Sequence, residues 1–445
     1  MQASRRIFGI VLALILLTSL AACGSGGSKP GSAPGGDGQN AQAEKKPVTL
    51  NVWSGYPELE AYFKKVAAEY QKANTNVTVN VLTHPLADYQ KKLAATIPAG
   101  AAADVLETPH STMNRYIAPG LMAEAPAKVQ EFVMGKAYNK EFQETVSVNG
   151  KVYGVPLFRG QGVLYYNTKM FKEAGLTAPP RTMEELMEYS RKLTKRDANG
   201  KITVSGFSLR LAGLPAGVTQ KFGTLLYNFG GNILKRTGDN KWVPDYDNEA
   251  GRKAVQMYMD FLFKDKVDDP ALKHDAEAFE LEQTAMFIRE SWVIADIAKK
   301  APGLQYATAP MPTGTIFLPS NLYVPKSSKN QDVAWDFILF AQKPEYLLFL
   351  MEDSGWLPNR VDVDYSQVSQ KIPGYKGFLD KPAGFTMYTE PDLPVYDEIA
   401  SKLGGRLAQF FTKAENNTPE AIDKLLKEAA VETRAILQAN NLLGK

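Results

Sequence analysis

Residues 48–83 fix the class of fold open to this chain. In VTLNVW, Val48, Leu50 and Val52 alternate with polar neighbours, the two-residue period of a half-buried strand. Leu59, Phe63, Val66, Ala67 and Tyr70 then recur at helical spacing through ELEAYFKKVAAEYQKA, and NVTVNVL returns to the strand period. Strand, helix and strand within about 35 residues make a βαβ unit, because parallel strands need a crossover long enough to reach the far end of the sheet. The helix then covers one face of that sheet, which predicts an α/β fold.

The alternation continues down the chain. A helix is expected at 88–97, a strand around 104–107, and a helical turn at 114–118 that Pro119 and Gly120 stop. KVYGVPLF reads as extended, and VLYYNTKMF opens a second block. Thr182 and Glu185 have the spacing of a capping box ahead of a helix, Asn199 and Gly200 make a turn, and ITVSGFSL reads as a strand. Amphipathic helices are expected at 249–263, 332–340 and 419–439, and there is no internal repeat.

The amino terminus has a different character. Arg5 and Arg6 precede an apolar run from Ile7 to Leu17, and small residues lead to Cys23, the three regions of a secretory signal peptide. The run is shorter than the roughly 20 apolar residues of a membrane span. The string LAAC ending at Cys23 resembles the lipobox of bacterial lipoproteins, which implies that Cys23 receives a diacylglycerol. Residues 24–43 are rich in Gly, Ser, Pro and Ala and cannot repay their ordering entropy, so they read as a flexible leash. The expectation is a signal peptide at 1–22 and a lipidated Cys23 with its linker at 23–46. Cys23 is the single cysteine of the 445 residues, so the folded part has neither a disulfide nor a thiol nucleophile.

Composition narrows the chemistry. Lysine plus arginine number 51 against 48 acidic residues, a net +3 that provides no basic stripe for nucleic acid. The 3 histidines, His84, His110 and His274, stand in no HExxH pattern, and the chain lacks GxSxG, GxGxxG and P-loop motifs. No metal or cofactor is expected. The 20 tyrosines and 5 tryptophans favour a ligand with both apolar faces and polar edges. Two carboxylates of a glycoside hydrolase would leave no spacing signature, so a secreted carbohydrate-active enzyme is the rival reading, with a purely structural surface lipoprotein behind it. Iron chelation by Tyr165 and Tyr166 is disfavoured, since neighbours in a strand point to opposite faces.

Five segments in order resemble the family of extracellular solute-binding proteins, chiefly the sugar-binding group of ABC importers: VTLNVWSG (48–55), KLAATIPAGAAADVLE (92–107), GKVYGVPLF through YSRKLT (150–194), TAMFIRESWV (284–293), and the stretch from YATAPMP to GWLPNR (306–360). The resemblance implies a two-lobed periplasmic-binding-protein-like fold of type II with three interlobe crossings. These would fall near Gly154–Phe158, near Tyr306–Pro312, and between Pro344 and Leu357. Lobe 1 would comprise 47–155 plus 309–345, and lobe 2 156–308 plus 346–445. It also implies a monomeric binding subunit, held at the membrane by its lipid, that delivers a small-molecule solute, a carbohydrate by preference, to the membrane permease.

A sugar-binding cleft needs aromatic platforms for ring faces and planar polar groups for hydroxyl edges. Trp292 in RESWV is the first candidate platform, followed by Trp53 and Tyr56 after the first strand and Trp356 between Gly355 and Pro358. By position in the resembling family, Glu107, His110, Arg159, Gln161, Arg210 and Glu290 are the polar candidates. The arginines leave open an acidic sugar or other non-sugar solute.

Overall fold

The computed structural model describes residues 46–445 apart from 212, 274 and 392; the signal peptide, Cys23 and the leash expected before Lys46 lie outside the described residues. The leading βαβ unit forms as its periodicity dictates, with β1 (Val48–Ser54), α1 (Glu60–Ala73) and β2 (Val77–Thr83). Next come α2 (Leu86–Thr96), β3 (Val105–Pro109) and α3 (His110–Ile117), which starts four residues ahead of the expected helical turn. β1 lies parallel to both β2 and β3.

Two long strands extend this first sheet: β4 (Gly154–Gln161) and, from much later in the chain, a strand at Gly314–Tyr323 that runs antiparallel to both β3 and β4. The second sheet is small. Its centre is β5 (Val163–Asn167), flanked by Met286–Arg289 and Tyr306–Ala309, both antiparallel to it. The chain therefore passes from one sheet to the other at Gly162, and back between Ala309 and Gly314.

Each sheet has its own core. Phe63, Phe337, Ile338, Leu347 and Leu350 are fully buried over the first. Leu186, Phe222, Leu226, Tyr258, Leu403 and Leu437 build the larger core of the second. A further cluster, with Val163, Phe287, Val293 and Phe378, fills the opposite face of β5. Burying one such side chain contributes about 1.5–3 kcal/mol, so each half holds a substantial core of its own. Mixed α/β architecture in two lobes is the arrangement expected.

The sheets correct the expected boundaries in two places. β4 pairs with the first sheet along its whole length to Gln161, so the first crossing lies beyond 155–156. Residues 344–358 also stay with the first core: Leu347, Leu350 and Trp356 pack into it, and Leu357–Pro358 pairs with Arg159–Phe158. The cause is that the helix Pro344–Ser354 lies against α1, so the chain returns to the second half only after this strand. Two local expectations also shift. Thr182 Oγ1 accepts from the Glu185 amide at 3.1 Å, but the Glu185 carboxylate accepts from the Arg181 amide at 2.6 Å and not from Thr182. The expected strand ITVSGFSL is regular only at Ile202–Val204.

Candidate ligand cleft

The carboxyl ends of β1 and β3 open onto a cleft of ≈ 620 Å³ between the two sheets. Such strand ends are where ligands collect in open α/β sheets. Tyr56 follows β1, and His110 follows β3. From the other half come Arg210, the first turn of a helix at Pro215–Asn228, and Glu290 with Trp292 at the start of a helix at Trp292–Lys300. Trp356, which closes the first core, shows its edge to the same space.

The aromatic groups are packed together. Tyr56 meets Trp356 edge-on with centroids 5.5 Å apart, and Phe158 lies 4.9 Å from Trp356 beneath them. The Trp356 indole donates to Glu58 Oε1 at 3.2 Å. Trp292 remains partly exposed; its indole donates to Glu290 Oε2 at 3.4 Å, and the Arg289 guanidinium lies 5.2 Å from the ring centroid.

Glu290 is the electrostatic hub. It is 5 % exposed and forms an ion pair with Lys221, itself 5 % exposed, while Arg289 Nη1 approaches its other oxygen at 3.3 Å. Burial alone would raise the Glu290 pKa, but the two cations outweigh it and hold the carboxyl at about 2. Arg210 lies 4.0 Å from Asp275 and over Gly217, where an added Cβ would come within 2.6 Å of the guanidinium. A side chain at Gly217 would push the Arg210 guanidinium out of this position.

Two close approaches set the floor. Gly160 of β4 passes between Glu290 and Trp356, with 3.2–3.3 Å from its would-be Cβ to each. Gly355 takes φ +81, and a Cβ there would stand 2.8 Å from the Ser291 carbonyl and 2.9 Å from Trp292 Cα. The backbones that carry the two cleft tryptophans are therefore in direct contact.

Of the ten candidate residues, the structure brings Tyr56, His110, Arg210, Glu290, Trp292 and Trp356 to one cleft. It does not bring the other four there. Gly160 faces the cleft, so its neighbours Arg159 and Gln161 point to the other face of the sheet. There Arg159 donates to the Pro358 carbonyl at 2.9 Å and Gln161 to that of Phe378 at 3.3 Å. Trp53 packs beside α2 with the Lys92 ammonium 3.8 Å above its ring. Glu107 is fully buried below the floor. It accepts from Ser54 Oγ at 2.6 Å, from the Gly55 amide at 3.2 Å and from Ser320 Oγ, and desolvation raises its pKa to about 7. It braces the turn that presents Tyr56.

Sequence reasoning missed Glu58, Gln220, Glu390 and Asp397, which also line the cleft. Glu58 lies two residues beyond Tyr56 and could have been inferred from it; the loop carrying Glu390 has no periodic signal. Burial, reinforced by Asp397, lifts the Glu390 pKa to about 7. Asp397 forms an ion pair with Arg115 of α3 at 2.8 Å, a bond from one half to the other at the rim. Among the described residues no group of three or more His, Cys, Asp or Glu is placed to hold a metal, and no helix is long and apolar enough to cross a membrane.

Comparison with known proteins agrees with this architecture. The chain is 25% identical over 357 residues to the diacetylchitobiose-binding protein DasA of Streptomyces coelicolor, covering 78% of this chain and 80% of that one. It is 26% identical over 364 residues to the maltodextrin-binding protein MdxE of Bacillus subtilis, covering 79% and 80%. Among solved structures, UgpB of Mycobacterium tuberculosis in complex with glycerophosphocholine superposes with a TM-score of 0.74 at 19% identity, covering 89% and 99%. The sequence model of bacterial extracellular solute-binding proteins matches residues 65–377. With two sheets facing one aromatic and polar cleft, the chain belongs to the bacterial extracellular solute-binding protein family.

Proposed function

We propose that the protein is the sugar-capturing subunit of an ABC importer, taking a neutral sugar or oligosaccharide between its lobes and handing it to the membrane permease. The observation that carries this is the cleft itself: Tyr56, Trp292 and Trp356 converge with Gln220, Arg210 and several carboxylates, the mixture that ring faces and hydroxyl edges require. The naming of DasA and MdxE for sugar ligands supports the same reading. Trp292 is the platform, Glu290 fixes its indole, and Arg210, Gln220 and His110 meet hydroxyls. Arg159, Gln161, Trp53 and Glu107 act from behind the cleft.

The charge balance favours an uncharged ligand over an acidic one. Glu58, Glu290, Glu390 and Asp397 line the cleft against Lys91 and Arg210, and the other cations beside it, Lys221, Arg289 and Arg115, are already engaged by Glu290 and Asp397. Arg159, which could have formed the second half of an anion clamp with Arg210, faces away. Binding without chemistry is the function: a ligand that touches both walls stabilises the closed form more than the open one, and that difference drives closure. The subunit works as a monomer, anchored outside the membrane through lipid on Cys23.

The test is isothermal calorimetry with mono- and oligosaccharides, uronates and glycerophosphodiesters. Binding of a neutral saccharide, lost in Trp292→Ala, is the expected result. Binding of uronates or phosphodiesters alone, or release of cleavage products from an oligosaccharide, overturns the proposal.

A further inference from the structure

A second cavity of ≈ 560 Å³ adjoins the cleft. Glu58 and Trp292 line both spaces. Its walls again come from the two halves: Glu58 and Ser354 on one side, and Ala295, Asp296 and Lys299 of the helix Trp292–Lys300 on the other. The interlobe groove is therefore divided into two compartments of similar size, and Trp292 is the partition.

We propose that this second compartment is a subsite for the continuation of the ligand chain, so that the solute is an oligosaccharide longer than a disaccharide and runs past Trp292. The inference rests on the sugar reading above. Pockets of about 300–1,000 Å³ enclose whole small ligands, so the first compartment alone suffices for one or two rings. A second compartment of similar size, sharing Trp292 and Glu58 with the first, has a use when the ligand extends. Its lining fits rings edged with hydroxyls. Asp296 and Lys299 supply an acceptor and a donor from successive turns of one helix, and Glu58, which already accepts from the Trp356 indole, reaches ligand on either side of the partition. Arg289 lines this compartment and lies over the Trp292 ring, which ties the partition to the wall of the second space.

The experiment is calorimetry of the mature protein with two- to four-ring members of the malto- and N-acetylchito-oligosaccharides, repeated with Ala295→Trp, which fills the second compartment. In the wild type the expected dissociation constant falls at least tenfold from the two-ring to the four-ring member of the series that binds. In Ala295→Trp that gain disappears while the two-ring value stays within twofold. If Ala295→Trp does not melt cooperatively, Lys299→Ala takes its place, with a loss of threefold or more confined to the three- and four-ring ligands. Equal affinity for two, three and four rings, or a variant that weakens all lengths alike, overturns the inference and leaves the sugar reading intact. No binding by either series while a monosaccharide binds overturns the inference alone, and no binding of any saccharide overturns both.

Discussion

Glu290 and Lys221 make a buried ion pair directly beneath the proposed platform, and replacing Glu290 by Gln tests whether that pair is an electrostatic necessity of the fold. The substitution keeps the shape and removes the charge, leaving Lys221 at 5 % exposure without its carboxylate. Breaking a buried pair from one side costs about 3–5 kcal/mol. The depression of Glu290 by its two cations points the same way, while burial holds the Lys221 ammonium below its usual range and offsets part of the gain. Because the folded-state value is the lower one, this stability is present above about pH 4.5 and is lost as pH falls towards 2. The assay is urea unfolding of the wild type, Glu290→Gln, Lys221→Met and the double variant at pH 7 and pH 3.5. At pH 7 each single variant should lose about 3–5 kcal/mol, and the double variant much less than their sum, because no charge is then left unpaired. The Glu290→Gln deficit should shrink at pH 3.5. A single-variant loss below about 1 kcal/mol, or losses that simply add, refutes the reasoning.

The remaining predictions concern other parts of the cleft and its tether. Trp292→Ala should weaken saccharide binding by about 1–3 kcal/mol, roughly fivefold to 150-fold by calorimetry, while the melting temperature moves little because the ring is already partly exposed. Glu107, raised to about 7, contributes stability that is full below about pH 4.5 and lost as pH rises through 7; the wild type should lose up to roughly 3 kcal/mol across that window, and Glu107→Gln should flatten the profile in thermal unfolding. Arg115→Ala breaks a half-exposed pair worth about 0.2–1 kcal/mol, so ligand affinity should fall no more than about fivefold at low salt and be unchanged at high salt. Cys23→Ala should release the protein from the membrane or leave it unprocessed, read by fractionation and mass spectrometry; a variant still cleaved and membrane-bound would contradict the anchor.

The fold was largely legible because its periodicities are local. Leu59 to Tyr70 and Pro419 to Ala439 state their helices residue by residue, and the structure follows them to within one or two positions. The crossings were less legible, since which sheet a strand joins depends on partners far along the chain: Arg159 pairs with Pro319 and Leu357, and nothing within GVPLFRGQ announces either. The site shows the same divide. Tyr56, His110, Trp292 and Trp356 sit just past the ends of readable elements, and the cleft holds them. Arg159 and Gln161 failed through the parity of a strand, because reading a buried run cannot tell which alternate residues face the ligand. Glu390 escaped notice because its loop enters the cleft only through a short parallel pairing of Thr386–Tyr388 with Gly314–Ile316.

The contact at Gly355 bears on how such a receptor could be retuned. A side chain at this position is excluded twice, by the left-handed backbone and by the Ser291–Trp292 main chain pressed against it. The spacing of the two tryptophans is therefore inherited as a unit, beyond the reach of single substitutions at the platforms themselves. Diversity in ligand choice must be written on the periphery, at positions such as Lys91, Leu214, Gln220 and Ser401, where the chain has room to accept change. A library built to turn this scaffold into a fluorescent sugar sensor should leave residues 291, 292, 355 and 356 alone and randomise that rim.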